Sequence, residues 1–249
     1  MVTDRIRYRA VWAVLFAAAV LFGLSPAPAA AQEPLRVLFI GNSLTTVNDL
    51  PALVRRIAEA DGARMHTKTV ALDGVSLEDH WNHGTAGREI ARGRWDFVVL
   101  QQGPSSLPDS RTVLREYVGR FDGAIRKAGA RPALYMVWPA RARQADFERV
   151  SESYRLAAAD IDAVLLPVGE AWRAAWKQAP SARLYGADNF HPSRDGSWLA
   201  ALVIYCRLSG KPPEAIKAWP RGFPKEAALF VNAVTEAFRV PPSSTLAPS

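Results

Sequence analysis

The stretch Leu35-Arg36-Val37-Leu38-Phe39-Ile40-Gly41-Asn42-Ser43-Leu44-Thr45 joins an apolar run of strand length to a small polar turn. A nearly continuous apolar run marks a strand buried on both faces, as in a parallel sheet, whereas a half-exposed strand alternates. Ser43 therefore lies at the C-terminal tip of a first strand. Further β-rich runs follow at 66–72, 96–101, 132–138 and 163–168, with helical periodicities at 49–61, 111–129, 144–160 and 169–178 between them. Strands alternating with helices predict an α/β fold: a three-layer αβα sandwich around a parallel sheet of about five strands. One more helix is expected from a Ser193 cap to Gly210, and a last one over 224–238.

Residues 1–31 read as a secretory signal peptide rather than as part of the fold. Arg5, Arg7 and Arg9 precede an uncharged apolar stretch from Ala10 to about Leu24, and Ala29-Ala30-Ala31 offers a small-residue cleavage site. The apolar stretch is short of the roughly 20 residues a spanning helix needs, so no stable membrane anchor is expected and the chain is read as exported, periplasmic or secreted. The domain is expected over 32–240, with a disordered Pro/Ser-rich tail at 241–249. The 249-residue chain carries a formal charge of +7, of which the leader supplies three arginines and one aspartate. The remaining basic residues are scattered among acids, a pattern that gives nucleic-acid binding little support. Cys206 is the one cysteine, so no internal disulfide is available.

The second informative stretch is Asp188-Asn189-Phe190-His191-Pro192-Ser193. A carboxylate and an imidazole three residues apart in a turn let the carboxylate hold one ring nitrogen while the other faces outward. A serine hydroxyl becomes a useful nucleophile only when such a base takes its proton. In open parallel sheets, sites form beyond the carboxyl ends of the strands. Ser43 follows the first strand there, Asp73-Gly74 the second and Gln102-Gly103 the third. Asp188, His191 and Ser43 are thus the candidate catalytic residues.

Taken together, these blocks resemble the SGNH hydrolase superfamily, also called GDSL-like esterases, and specifically an exported bacterial branch. The resemblance covers almost the whole chain after the leader and implies the flavodoxin-like SGNH fold. Gly41-Asn42-Ser43-Leu44-Thr45 resembles the first block, with the nucleophile; Ala71-Leu72-Asp73-Gly74-Val75-Ser76-Leu77 resembles the second, whose glycine N–H serves the oxyanion hole. Asp188-Asn189-Phe190-His191 matches the Asp-x-x-His block. Leu100-Gln101-Gln102-Gly103-Pro104-Ser105 stands where the family commonly has Gly-x-Asn-Asp, and Ser105 replaces the asparagine donor. By resemblance the oxyanion hole comprises the N–H groups of Ser43 and Gly74 and the Gln102 amide, with Gln101 and Ser105 as alternatives. The implied activity is hydrolysis of short acyl esters, chiefly acetyl, on a small or carbohydrate alcohol, with no cofactor and no metal.

Each motif alone has a plainer reading. Gly-Asn-Ser is an ordinary turn, and Ser43 or Thr45 could cap a helix. His80 and His83 lie three apart beside Glu78 and Asp79, yet no metal-binding spacing accompanies them, so they read as packing or pocket wall. Gly-x-Ser-x-Gly is absent, which separates the chain from ordinary α/β-hydrolases. A flavodoxin-like module cradling phosphate on the 42–46 loop is a competing reading, as is a glycan-binding protein that has lost turnover. The phosphate module leaves Asp188 and His191 without work to do; the glycan-binding reading would show as a triad present with no hydrolysis of any activated ester.

Overall fold

A computed structural model describes residues 33–239; the expected leader and the tail at 241–249 lie outside them. The five strands are β1 (Leu35–Gly41), β2 (Met65–Ala71), β3 (Phe97–Leu100), β4 (Arg131–Tyr135) and β5 (Val164–Leu166). All pair in parallel, in the order β2-β1-β3-β4-β5. Val37, Leu38, Phe39 and Ile40 have no exposed surface, as the continuous apolar run requires of the strand at the middle of this half of the sheet.

The helices are α1 (Ser43–Thr46), α2 (Leu50–Ala60), α3 (Leu77–His83), α4 (Thr85–Arg92), α5 (Pro108–Lys127), α6 (Phe147–Asp160), α7 (Val168–Gln178), α8 (Arg194–Ser209) and α9 (Ala227–Arg239). Helices α2, α7, α8 and α9 pack among themselves, as do α3, α4, α5 and α6. Right-handed crossovers in this strand order place the two groups on opposite faces. Helix α8 begins at its Ser193 cap, whose hydroxyl accepts from the Gly196 N–H at 3.0 Å, and ends on Gly210 at φ 72°. Its interior position buries the whole run from Trp198 to Cys206. No helix among the described residues is long and apolar enough to cross a membrane.

Helices α3 and α4 have no counterpart in the periodicity reading, which left 77–92 unassigned. Each is short, and each buries only two side chains: Leu77 and His80 in α3, Ala86 and Ile90 in α4. Gly84, at φ 71°, breaks them apart. With seven and eight residues, each is too short for its apolar spacing to repeat over the window in which a helical period is read.

The strand order reverses between β1 and β3, which opens a crevice at their carboxyl ends. Register aligns those ends, with Gly41 opposite Ala71 and Ile40 opposite Leu100. The loops bearing Ser43, Gly74 and Gln101-Gln102 therefore leave the sheet side by side.

Candidate active site

Ser43 opens α1, directly after the Asn42 cap. The Asn42 Oδ1 accepts the Leu44 N–H at 3.1 Å, and its Nδ2 donates to the Val75 carbonyl at 3.0 Å. Gln101, at the end of β3, holds the same turn from below. Its Oε1 accepts the Asn42 N–H at 2.9 Å and the Thr45 hydroxyl at 2.7 Å, while its Nε2 donates to the Asn42 Oδ1 at 3.0 Å and to the Gln102 carbonyl at 2.7 Å. Gly41 leaves room for this: a Cβ there would stand 2.4 Å from the Gln101 Oε1 and 2.5 Å from the Thr45 Oγ1.

The sequence-distant loop comes to meet this turn. His191 Nε2 lies 2.8 Å from Ser43 Oγ, and its Nδ1 lies 2.5 Å from the Asp188 Oδ2. Asp188 Oδ1 accepts the N–H groups of Phe190 and His191 at 3.0 and 2.9 Å, which folds 188–191 into a tight turn. Asn189 supplies its left-handed residue, at φ 59°. The His191 contact, then the backbone donors, hold the Asp188 carboxyl well below the usual carboxylate range, at about 2. An ionised Asp188 requires the Nδ1–H tautomer of His191, leaving Nε2 as the acceptor for the serine proton.

Two contacts outside the sequence motifs fix this loop. Asn48 Nδ2 donates to the Pro192 carbonyl at 3.1 Å and to the Ser197 hydroxyl at 2.9 Å, tying the loop after α1 to the start of α8. Trp138 Nε1 donates to the Phe190 carbonyl at 3.0 Å. Asn48 and Asp49 are both left-handed, at φ 58° and 53°, and this Asn-Asp pair is the sequence signal that marks the turn.

A cavity of about 580 Å³ opens over Ser43 and is lined by Thr46, Val47, Asp73, Gly74, Phe190 and His191. Gly74 has φ 72° and open space beyond its Cα, as close substrate approach demands. No hydrogen bond of the described residues uses the Gly74 N–H. The Ser43 N–H lies in the first turn of α1, where no intrahelical acceptor exists.

Gln101, Gln102 and Ser105 are buried and line no part of this cavity. The Gln102 Oε1 accepts the Leu77 N–H at 3.1 Å and its Nε2 donates to the Ser105 hydroxyl at 2.9 Å, so its amide is spent on the N-terminus of α3. The expected side-chain donor is thereby redirected by a helix whose open N–H groups need an acceptor. Among the described residues, no group of three or more His, Cys, Asp or Glu could hold a metal ion.

His80 acts on the same turn from α3. It is 2% exposed, and its Nε2 donates to the Gly41 carbonyl at 2.7 Å. Burial, partly offset by that bond, pushes its pKa below the ordinary 6.5. A histidine kept neutral in the fold but free to protonate when unfolded stabilises fully above 6.5, and that contribution is lost as pH falls toward the folded value. The midpoint of urea unfolding should therefore drop between pH 7 and pH 5, and His80→Gln, which retains a donor for Gly41, should show a smaller drop. An equal drop in both proteins would place the acid sensitivity elsewhere. Asp188, with its lowered carboxyl, acts in a separate window below 3.8.

No protein-family model and no curated protein matches the chain. Solved structures do. A lipase/acylhydrolase from Enterococcus faecalis matches at 18% identity and a TM-score of 0.58, covering 71% of this chain and 96% of its own. A DUF4886 family protein from Bacteroides uniformis matches at 19% identity and a TM-score of 0.73, covering 86% and 98%. At such identities these two speak for the fold alone. An SGNH hydrolase from Slackia heliotrinireducens is 34% identical, covering 70% of this chain and 98% of its own at a TM-score of 0.58. Identity at that level over nearly all of a relative's length, on the same parallel five-stranded scaffold, makes this chain a member of the SGNH hydrolase superfamily.

Proposed function

We propose that the protein is a serine esterase that removes short acyl groups, chiefly acetyl, from carbohydrate, and that it works after export behind the 1–31 leader. The observation that carries this reading is the continuous chain of contacts Asp188–His191–Ser43, ending in a hydroxyl at the mouth of a cavity. Ser43 Oγ attacks the ester carbonyl carbon while its proton passes to His191 Nε2. The N–H groups of Ser43 and Gly74 receive the oxyanion. Collapse of the tetrahedral intermediate expels the alcohol, which takes the proton from His191, and leaves the acyl group on Ser43. Water, activated by the same imidazole, then releases the acid and restores the serine.

A phosphate-cradling module is less consistent with this loop. The Asn42 side chain already occupies the Leu44 N–H, and α1 is only four residues long. The short-acyl preference rests on the cavity wall. Among the described residues, Val47 and Phe190 are its large apolar lining residues, two side chains rather than an extended apolar channel, and Asp73 and Thr46 bring polar groups to the same space. Each buried methylene contributes about 0.8 kcal/mol only where an apolar surface receives it. We therefore expect kcat/KM on 4-nitrophenyl esters to fall from acetyl to octanoyl, and acetate to be released from acetylated xylo-oligosaccharides. A profile rising through octanoyl would refute the short-acyl reading, and binding of those oligosaccharides without acetate release would leave a glycan-binding protein.

A further inference from the structure

A second, larger cleft of about 890 Å³ lies behind the loop that carries His191. Its lining contains Arg141, Arg173, Lys177 and Arg183 and, among the described residues, no acidic residue. Trp176 and Tyr185 stand among these cations with ring centroids 5.4 Å apart and planes 29° from parallel. Both rings are held: Trp176 Nε1 donates to the Ala182 carbonyl at 2.9 Å and the Tyr185 hydroxyl to the Pro139 carbonyl at 2.7 Å. Both are also only partly buried, so each keeps surface for a ligand.

The four cations are not equivalent. Arg173 is shared by Glu148 at 3.1 Å and Glu170 at 3.3 Å, and Lys177 pairs with Glu236 at 3.0 Å. Arg141 and Arg183 take part in no ion pair among the described residues; the one hydrogen bond of the Arg141 guanidinium among them is a long one from Nη1 to the Asn189 Oδ1, at 3.4 Å. Two guanidinium groups without a carboxylate thus face the same cleft as a fixed aromatic pair. A guanidinium presents paired donors that match a carboxylate.

The cleft and the triad are separated by a single pair of chain segments. Gly186 donates to the His191 carbonyl at 2.7 Å and Ser193 to the Leu184 carbonyl at 2.8 Å, with an antiparallel bridge between Tyr185 and Pro192. The Arg141 N–H donates to the Asn189 carbonyl at 2.9 Å, inside the turn that presents His191. A sugar chain crossing this short wall would reach both places.

We infer that this cleft is a subsite for carboxylate-bearing sugar residues of the polymer whose acyl ester is cleaved at Ser43. The apolar C–H face of a pyranose ring lies on the Trp176–Tyr185 surface, and its carboxylate is taken by Arg183 and Arg141. The choice of a sugar as ligand rests on the esterase reading; the choice of an anion rests on the cleft alone.

The test is calorimetric titration of the wild-type protein with trigalacturonate and with xylotriose as the neutral control. Trigalacturonate should bind at least tenfold more tightly, weaken as salt is raised from 50 to 500 mM because the attraction is screened, and weaken at least fivefold in Arg183→Gln. Absence of binding, equal affinity for the two sugars, or no effect of Arg183→Gln would overturn the assignment. Tighter binding of AMP would overturn the sugar in favour of a nucleotide, and inorganic phosphate competing at equal concentration would reduce the cleft to an unspecific anion site. Hydrolysis of 4-nitrophenyl acetate by the same preparation separates the two readings. Binding without hydrolysis defeats the esterase alone, and hydrolysis without binding defeats the cleft alone.

Discussion

Ser43→Ala and His191→Ala are each expected to lower kcat for 4-nitrophenyl acetate by about 10³-fold or more, and the double variant to lose little beyond either single one. The non-additivity follows from the 2.8 Å contact between Oγ and Nε2: once either partner is gone, the proton transfer that makes the other useful no longer occurs. Asp188→Asn should cost as much or less, because the amide can still accept the Phe190 and His191 N–H groups while its Nδ2 faces the wrong ring tautomer. An organophosphonate probe should place its adduct on Ser43 in peptide mapping. Losses that multiply in the double variant, or an adduct elsewhere, would contradict a cooperating pair.

Gln101→Leu is expected to damage both stability and turnover. Gln101 is 1% exposed, and removing its amide orphans the Asn42 N–H and the Thr45 hydroxyl, which both point at its Oε1. A buried polar group left unpaired costs about 1–3 kcal/mol, so roughly 2–6 kcal/mol of unfolding free energy should disappear. The same two groups anchor the turn that aims Ser43, and kcat should fall by about 10- to 100-fold through misplacement. The paired measurement is decisive: a kcat loss with an unchanged denaturation midpoint is what an oxyanion donor would give, and it would return Gln101 to that role.

How far the chain could be read in advance depended on what each segment buries. Strand β1 was legible because both its faces are covered, so four consecutive apolar residues carry the signal without any periodicity. The ends of α8 were legible because Ser193 and Gly210 are residues whose chemistry suits those positions. Helix α3 was missed although Ser76 and Asp79 form a reciprocal capping box, a local signal that needs no apolar face. That omission carried forward. Without α3 there was no N-terminus for the Gln102 Oε1 to cap and no helix to bring His80 under Gly41.

The candidate residues Ser43, Asp188 and His191 could be picked out individually, since Asp-x-x-His is a local turn and Gly-Asn-Ser a local cap. Their supports were not. Asn48 reaches Ser197, and Trp138 reaches Phe190, across sequence separations of 149 and 52 that only the fold closes. Gln101 and Gln102 are adjacent and identical in chemistry, so nothing local distinguishes the one that braces the serine turn from the one that caps a helix.

Ser43 and the loop that carries Asp188 and His191 also differ in how firmly the protein holds them. Ser43 follows a strand with ladder partners on both sides and no exposed surface at 37–40, whereas His191 sits on a loop, 30% exposed, and leans on Asp188, whose side chain is about half in solvent. Opening free energies follow such differences, from near zero in exposed loops to the global value in central strands. Backbone amides of 188–191 should thus exchange with deuterium long before those of 37–40, and the serine should lose its partner during brief excursions that leave the sheet intact. On the esterase reading, such moments would disarm the site without unfolding the sheet, and the 183–193 segment, more than the scaffold, would set the fraction of molecules that are competent at any instant.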